Sequence, residues 1–533
     1  MYLAQSFAPA TDAIGGSQVL SALAGISPLA AFFIFLMAFK LKAHTAALLS
    51  LLLAIVIAIL GFRMPVDLTL LSMSEGIAFG LFPIVFIIWM AVWIYDLTVK
   101  SGRFDDLRQI FSALGRGDMR VQALLIAFSF GGLLEALAGF GAPVAIVAAM
   151  LLAIGMKPLK AALATLVANT APVAFGAMAI PVTTAGLLAE LPVKDVAAQT
   201  GILMASLALF VPLLLCLIMD GMRGLRQIWP MAIVLGLTYA AGQFVCSNYL
   251  TYELTNVVAC LVSLGIGIGF LKVWAPTTPE DQASLAKSEK LSGKQITLAL
   301  FPYLLVVVVF AVAKLWKLGI DIPAALAATD VKVPWPGLHG KIASNGTMFN
   351  FNWLSGPGTL LLLCGLATVL IYASADKNFT FGTGIGELFA GLNRMKFSFL
   401  TIATVMGLAY VMNFSGQTAA IGATLAATGS IFPALSPMLG WVGTAVTGSA
   451  TSSNALFAKM QATTAHQIGV DPTLLVSANS GGAVTSKMIS PQTVAIAAAA
   501  VKMENGEATI MRAVFGFSLG LLAFMCAFVF LLA

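Results

Sequence analysis

The sequence predicts an all-α, polytopic membrane protein with about 12 transmembrane helices, two re-entrant hairpins and an inverted structural repeat. Of its 533 residues, 60% are apolar and 9% are charged, which leaves too few polar side chains to cover a soluble protein of this size. Apolar stretches of about 18 to 23 residues recur along the chain, close to the roughly 20 helical residues that cross a bilayer. Lipid must therefore solvate most of the surface.

The two halves of the chain align at an offset of 310 residues. Residues 168–170 (Ala-Asn-Thr) fall on residues 478–480 (Ala-Asn-Ser), and Pro181 falls on Pro491. The apolar segments coincide at the same offset. Recurrence at a fixed spacing indicates two related structural units within one chain.

This repeat divides the chain into four parts. They are an N-terminal span, 1–43; repeat 1, 44–222, with a hairpin at 122–156 and a broken span at 158–192; linking spans, 223–353, with an inner loop at 275–295 and an outer loop at 317–355; and repeat 2, 354–533, with a hairpin at 430–468 and a broken span at 472–500.

The positions of Lys and Arg predict the orientation, because short loops rich in these residues stay on the cytoplasmic side. Lys157 and Lys160 follow the apolar stretch 122–156, so that stretch is expected to begin and end inside as a re-entrant hairpin. The equivalent turn of repeat 2, at 466–472, has Asp471 and no Lys or Arg, which predicts an inverted second copy. Both termini are then expected outside. The net charge of +6 comes from Lys and Arg residues that we interpret as setting the topology, not as a sign of nucleic-acid binding.

Four breaks interrupt the apolar segments. Two of them are predicted hairpin tips, one with Gly139, Gly141 and Pro143 and the other at 447–454 with Gly448. The other two lie in broken spans, which are expected to unwind at Asn169-Thr170-Ala171-Pro172 and at Asn479-Ser480-Gly481-Gly482. A helix that starts after such a break presents a positive dipole end, which suits a carboxylate. The alternative is that the small residues only permit close helix packing in lipid.

Glu135 lies in an apolar stretch with no other ionisable residue, where a carboxylate is costly unless it is functional or protonated. It is the first candidate for a proton-binding residue. Lys459 and Lys487 are the other ionisable residues well inside apolar segments, and either is placed to pair with Glu135 or with an anionic ligand. Lys487 lies closer to the predicted unwound region and is favoured. Three further charged residues near predicted span ends are interpreted as interfacial anchors: Glu75, Asp96 and Arg120.

The five cysteines show neither the paired spacing of a disulfide framework nor that of a zinc site. We interpret them as small core residues and expect no cofactor or metal.

Three segments together resemble the signature segments of the bacterial L-lactate permease family. They are Glu-Ala-Leu-Ala-Gly-Phe-Gly-Ala-Pro-Val-Ala-Ile at 135–146, Thr-Gly-Ser-Ala-Thr-Ser-Ser-Asn-Ala-Leu-Phe at 447–457, and Lys-Met-Ile-Ser-Pro-Gln at 487–492. Chain length and hydropathy match the family from end to end. One departure is Ala450, because family members often have an acidic residue there; more of the proton role then falls on Glu135.

The resemblance implies uptake of L-lactate with protons across the bacterial inner membrane, with glycolate and similar 2-hydroxy acids as further substrates. The plan of two hairpins and two broken spans is also similar to that of the divalent-anion symporters, whose transport domain moves as an elevator; a homodimer is possible. The expected substrate-binding set is Asn169, Thr170, Thr451, Ser452, Ser453, Asn454, Asn479, Ser480 and Lys487.

Three other functions remain as alternatives. Unwound carbonyls with Asn and Ser side chains also suit Na⁺, so sodium coupling stays open. A passive channel is a second possibility. An intramembrane enzyme needs a base beside its nucleophile, and His44, His339 and His466 are each expected away from the serine-rich breaks. We therefore expect no enzymatic activity.

Overall fold

The structure is a computed structural model that describes residues 6–39, 41–112, 115–137, 142–283, 291–317, 319–342, 347–376, 378–503 and 506–533. Within these ranges the chain is a bundle of α-helices with short 3₁₀ and π-helical turns and one small β-ribbon. Eleven segments are long and apolar enough to cross a bilayer, and one bent helix pair makes a twelfth. The predicted class of polytopic helical membrane protein is confirmed.

The first twelve helices extend to the segment before the inner loop. They are α1 (Gln18–Met37), α2 (Ala43–Val56), α3 (Val66–Phe79), α4 (Phe86–Lys100), α5 (Arg103–Ser112), α6 (Met119–Leu124), α7 (Gly131–Leu137), α8 (Ala142–Ala153), α9 (Pro158–Ala168), α10 (Gly176–Ala189), α11 (Val193–Tyr249) and α12 (Thr255–Val273). A π-helical turn, Leu125–Phe130, joins α6 and α7 into one continuous buried helix.

The second half has ten helices and two strands in the described residues. They are α13 (Gly293–Leu315), α14 (Ile322–Ala327), β1 (Val331–Pro334), β2 (Met348–Phe351), α15 (Pro357–Ala375), α16 (Phe381–Ser415), α17 (Gln417–Leu425), α18 (Phe432–Thr447), α19 (Ala450–Ile468), α20 (Pro472–Ser486), α21 (Pro491–Ala500) and α22 (Glu507–Leu532). β1 and β2 form an antiparallel ribbon inside the expected outer loop, a feature that the all-α prediction misses.

A buried arginine ties three segments together at one face of the bundle. Arg120, at the start of α6, is fully buried and lies 2.8 Å from carboxylate oxygens of both Asp118 and Asp220. It also donates a hydrogen bond to the carbonyl of Thr277. Asp220 lies at a bend that divides the long helix α11. The start of α6, the bend in α11 and the segment after α12 therefore lie close together, while the topology in the membrane stays a prediction.

The segment 430–468 folds as a helix–turn–helix. Gly448, at φ +71°, makes the turn between α18 and α19, a backbone conformation that glycine adopts without steric cost. Ser453 donates to the carbonyl of Gly440 across the two limbs, and Ser436 donates to Gln461 further from the tip. The two limbs therefore pack side by side, while the re-entrant course of this hairpin in a bilayer stays a prediction.

The first predicted hairpin has two described limbs, α7 and α8. A methyl group on Gly131 would lie 3.1 Å from Cγ2 of Val147, so the limbs are in close contact. Pro143 lies in the first turn of α8, where its missing N–H breaks no helical hydrogen bond. The other two tip residues, Gly139 and Gly141, lie outside the described residues.

The first broken span breaks where the sequence predicts. Helix α9 ends at Ala168, Asn169 is its C-cap, and the helix that follows is bent by 62° relative to α9. Beyond the bend, Ala177, Met178 and Ala179 form a left-handed turn with φ between +43° and +64°. Such conformations cost about 1–3 kcal/mol for each non-glycine residue and persist only where the surroundings fix them.

The predicted break at Asn479-Ser480-Gly481-Gly482 is wrong. Helix α20 runs through all four residues, and the chain breaks after it, at Lys487–Ile489, before Ser490 caps α21. The glycines are packing positions, because a methyl group on Gly482 would lie 1.7 Å from the carbonyl oxygen of Pro437 on α18. At the offset of 310 residues the observed break corresponds to 177–179, the three residues of the left-handed turn. The inverted repeat itself stays a prediction.

We predict that Gly482→Ala destabilises the protein by about 1–3 kcal/mol, because the added methyl group overpacks the contact between α18 and α20. Thermal unfolding of the purified protein in detergent measures this loss. Gly520→Ala on α22 is the matched control, since nothing lies within 4 Å of its added methyl group and alanine favours a helix. Equal melting temperatures for the two variants would contradict the packing role of Gly482.

Candidate functional site

A buried ion pair lies where the helices break. Glu135 is near the end of α7 and is 3% exposed; Lys487 follows α20 and is 7% exposed. The Glu135 Oε1 atom lies 2.6 Å from the Lys487 Nζ atom, and Oε2 accepts a hydrogen bond of 2.9 Å from Asn169 Nδ2. A pair of this kind is stable only while both charges keep their partners, because each alone is costly in a low-dielectric interior. Pairing with Glu135 is one of the two roles that the sequence leaves open for Lys487, and this geometry agrees with it.

A cavity of about 240 Å³ lies against the ion pair. Both Glu135 and Lys487 line it, and further polar residues of its wall come from the tip of the 430–468 hairpin and from the start of α21. These polar wall residues are Thr447, Ser449, Thr451, Ser452, Gln492 and Thr493. The cavity therefore joins two opposite charges to several neutral hydrogen-bonding groups.

Two helices begin at this cavity. Ser449 caps α19 by accepting a hydrogen bond from the backbone N–H of Ser452, and Ser490 caps α21 by accepting one from the N–H of Thr493. Each helix start contributes about half a positive charge from its aligned peptide dipoles. Together with Lys487, the two helix starts make this wall suited to an anion.

The opposite wall of the cavity comes from α2 and α16. His44 stacks on Phe397 with ring centroids 4.7 Å apart, and Ser398 and Thr401 lie on the same wall. The expectation that His44 lies away from the serine-rich breaks is wrong, because it faces the cavity that the hairpin tip also lines. No local pattern marks this wall, since α2 and α16 are far apart in sequence and meet only in the folded chain.

Two of the predicted binding residues of the second tip, Thr451 and Ser452, line the cavity, whereas two others hold the helices together. Ser453 donates to the carbonyl of Gly440 on the other limb. Asn454 donates to Pro181 O at 2.8 Å, which connects the hairpin to α10.

The predicted residues of α20 also belong to this packing network. Asn454 donates to Ser480 Oγ and accepts from Asn479 Nδ2, each at 2.9 Å, so α19 and α20 are joined by buried polar groups. All three side chains are buried. Asn454, Asn479 and Ser480 therefore hold the hairpin against α10 and α20, and they are not among the residues that line the cavity.

Thr170 does not line the cavity. It is 1% exposed, and within the described residues its Oγ1 atom has no hydrogen-bond partner. The Oδ1 atom of Asn169 likewise has no partner there, although its Nδ2 atom holds Glu135.

Lys459 lies elsewhere. Its Nζ atom is 2.9 Å from Glu190 Oε1, and both side chains are more than a quarter exposed. Glu190 lines a second, larger cavity, on the side of the outer segment 317–355. Of the two lysines singled out in the sequence, Lys487 is therefore the one at the cavity beside Glu135.

A buried charge pair and an anion-suited cavity among broken helices, inside a bundle of about twelve spans, define a membrane transport protein. A family model described as L-lactate permease matches residues 21–533. The chain belongs to the L-lactate permease family.

Individual relatives match over nearly their full length. An L-lactate permease of Bacillus subtilis is 39% identical, with 100% of this chain and 98% of the relative covered. The glycolate permease GlcA of Escherichia coli is 38% identical, with 97% of each chain covered. Among solved structures, Neisseria gonorrhoeae MtrF aligns with 86% of this chain and 82% of its own at a TM-score of 0.46 and 13% identity.

We predict that Lys487→Met destabilises the protein by about 3–5 kcal/mol at alkaline pH, because it leaves Glu135 buried without its partner. The loss shrinks as the pH falls, since the folded variant then binds a proton on Glu135 that the unfolded chain does not bind at that pH. The double variant Glu135→Gln/Lys487→Met has no such charge and shows no such pH dependence. Thermal unfolding across a pH series measures all three proteins.

The control for this prediction is the more exposed pair of Glu190 and Lys459. Lys459→Met is expected to cost about 0–1 kcal/mol, because water screens the charge that remains. A loss of stability in Lys487→Met that does not depend on pH, or an equal loss of stability in Lys459→Met, would contradict the claim that Glu135 depends on Lys487 for charge compensation.

Proposed function

We propose that this transporter takes up L-lactate and related 2-hydroxy monocarboxylates such as glycolate across the bacterial inner membrane, together with protons. The names of the relatives from Bacillus subtilis and Escherichia coli support this substrate class. The observation that carries the proposal is the pair of Glu135 and Lys487 at the wall of a polar cavity.

The substrate carboxylate binds Lys487 and the starts of α19 and α21. All three present positive charge to the same cavity, which matches a single negative charge. The hydroxyl groups of Thr451 and Ser452, on the first turn of α19, are available to the 2-hydroxyl group of the substrate. A substrate without that hydroxyl leaves these buried polar groups unpaired, which is the physical basis for selectivity.

Coupling follows from an exchange of partners at the ion pair. When a lactate carboxylate takes Lys487 as its partner, Glu135 loses the cation that compensates its charge. An uncompensated carboxylate in a low-dielectric site binds a proton. The loaded site then has a neutral Glu135 and a neutral pair of Lys487 with lactate, so its net charge equals that of the empty site.

Equal charge in the empty and loaded states is what a moving transport domain needs, because an uncompensated charge in the bilayer opposes movement. In the elevator arrangement that we propose, the two hairpins and two broken spans carry the site, and α2 and α16 with His44 belong to the fixed wall. The inverted repeat, the re-entrant depth of both hairpins and the outside position of both termini are parts of this proposal.

The experiment is uptake of labelled L-lactate into proteoliposomes under an inward proton gradient, with a sodium gradient as the parallel arm. Accumulation against the lactate gradient with protons alone is expected. Accumulation only with sodium would mean that transport is coupled to sodium at groups other than Glu135. Equilibration of lactate without accumulation would indicate a channel.

We predict that Glu135→Gln abolishes proton-driven accumulation but retains counterflow exchange of lactate. The amide resembles the protonated, loaded form of Glu135, so the substrate still binds Lys487 and crosses in exchange. Glu190→Gln is the matched control, since it removes a carboxylate from the other cavity. Equal loss of accumulation and exchange in Glu135→Gln, with the protein folded, would refute the coupling role.

We predict that Thr451→Val raises the KM for lactate by more than it raises the KM for propionate, which lacks the 2-hydroxyl group. One lost hydrogen bond is worth about 0.5–1.5 kcal/mol, or roughly twofold to tenfold in KM. Thr424→Val on α17, a residue that does not line this cavity, is the matched control. Equal shifts for both substrates would exclude a contact with the 2-hydroxyl group.

A further inference from the structure

A second buried carboxyl group lies outside the site described above. Glu75, on α3, is fully buried, in contrast to the interfacial anchor predicted from the sequence. Within the described residues, neither Oε1 nor Oε2 of Glu75 has a hydrogen-bond partner. Burying an ionised carboxylate without a partner costs far more than burying the neutral acid. The buried, unpaired state of Glu75 is therefore the state with a proton bound.

Tyr410 connects the surroundings of Glu75 to a cavity. A methyl group on the adjacent Gly76 would lie 2.8 Å from Tyr410 Cβ, so α16 packs closely on α3 at this level. The Tyr410 ring packs on Phe79, one helical turn after Glu75, with centroids 5.8 Å apart. Both Phe79 and Tyr410 line the cavity of about 560 Å³ that also contains Glu190.

The outer segment reaches the same level of α3. Trp335, just after β1, donates a hydrogen bond of 3.1 Å to Ser74, the residue before Glu75. Glu190 lines the same cavity as Tyr410 and is itself paired with Lys459. Among the described residues, the ionisable groups that these contacts place between Glu75 and the cavity are Tyr410 of α16 and, beyond it, the pair of Glu190, at the end of α10, and Lys459 of α19.

We propose that Glu75 is a second proton-binding site, which holds a proton in this arrangement and exchanges it with the larger cavity past Tyr410. The exchange is a transfer of one proton between the carboxyl group and water in that cavity. Proton binding at Glu75 does not depend on the proposed function, whereas its contribution to transport rests on proton coupling. Glu75 lies on α3, which contributes no residue to the cavity beside Glu135.

Infrared spectroscopy of the purified full chain tests proton binding directly. The wild type is expected to show a C=O band of a protonated carboxylic acid that is lost in Glu75→Gln, an uncharged side chain of the same shape. In D₂O the band shifts, because the proton exchanges with solvent. An unchanged spectrum in Glu75→Gln, or a band that never shifts in D₂O, would overturn the proposal.

Tyr410→Phe keeps Glu75 and the packed ring but removes the hydroxyl group. Slower exchange of the Glu75 band in this variant is expected, and Ser74→Ala is the neighbouring control that leaves the exchange rate unchanged. Exchange at the wild-type rate in Tyr410→Phe would overturn the route past Tyr410. This variant also provides the test if Glu75→Gln fails to fold.

Transport provides an independent readout in proteoliposomes. Glu75→Gln is expected to lower the initial rate of proton-driven lactate uptake several-fold while counterflow exchange stays near the wild-type rate. A purely structural acid would lower both equally, which would overturn the role in transport. If the wild type shows no proton-driven uptake, the proposed function fails, and the infrared result still decides whether Glu75 binds an exchangeable proton.

Discussion

The arrangement of this protein depends on one constraint, which is that two opposite charges lie together inside the helix bundle, at the wall of a cavity. Glu135 and Lys487 are 2.6 Å apart and almost completely buried, and neither is stable there without the other. In the proposed mechanism, a substrate anion that competes for Lys487 also changes the proton affinity of Glu135. The same contact would then account for the stability of the empty site and for the proposed coupling of lactate to protons.

The surrounding packing holds the two charged side chains next to each other. Glu135 and Lys487 lie 352 residues apart in sequence and belong to different halves of the chain. Buried polar bonds of Asn454 fasten the 430–468 hairpin to α10 and α20, and Gly482 allows α18 and α20 to approach closely. Arg120 fixes the start of the Glu135-bearing helix to the bend of α11. Interhelical hydrogen bonds and close approach at small residues are typical of helix packing in membranes.

The sequence predicts the spans and the break after Ala168, and it singles out Glu135 and Lys487, because isolated charges and clustered Gly, Pro and Asn are rare inside apolar helices. It does not predict which small residues break a helix and which pack it. The packing role of Gly482 follows from its contact with Pro437, and that contact exists only in the folded chain. The wall with His44 and the burial of Glu75 are likewise set by long-range packing.

Measurement of proton uptake on lactate binding tests the central claim most directly. Lactate is added to the purified protein in weakly buffered solution with a pH indicator, and Lys487→Met serves as the protein without the exchangeable ion pair. We expect the wild type to take up protons as lactate saturates and the variant to take up none. Saturable lactate binding to the wild type without proton uptake would contradict the exchange of partners at Glu135 and Lys487.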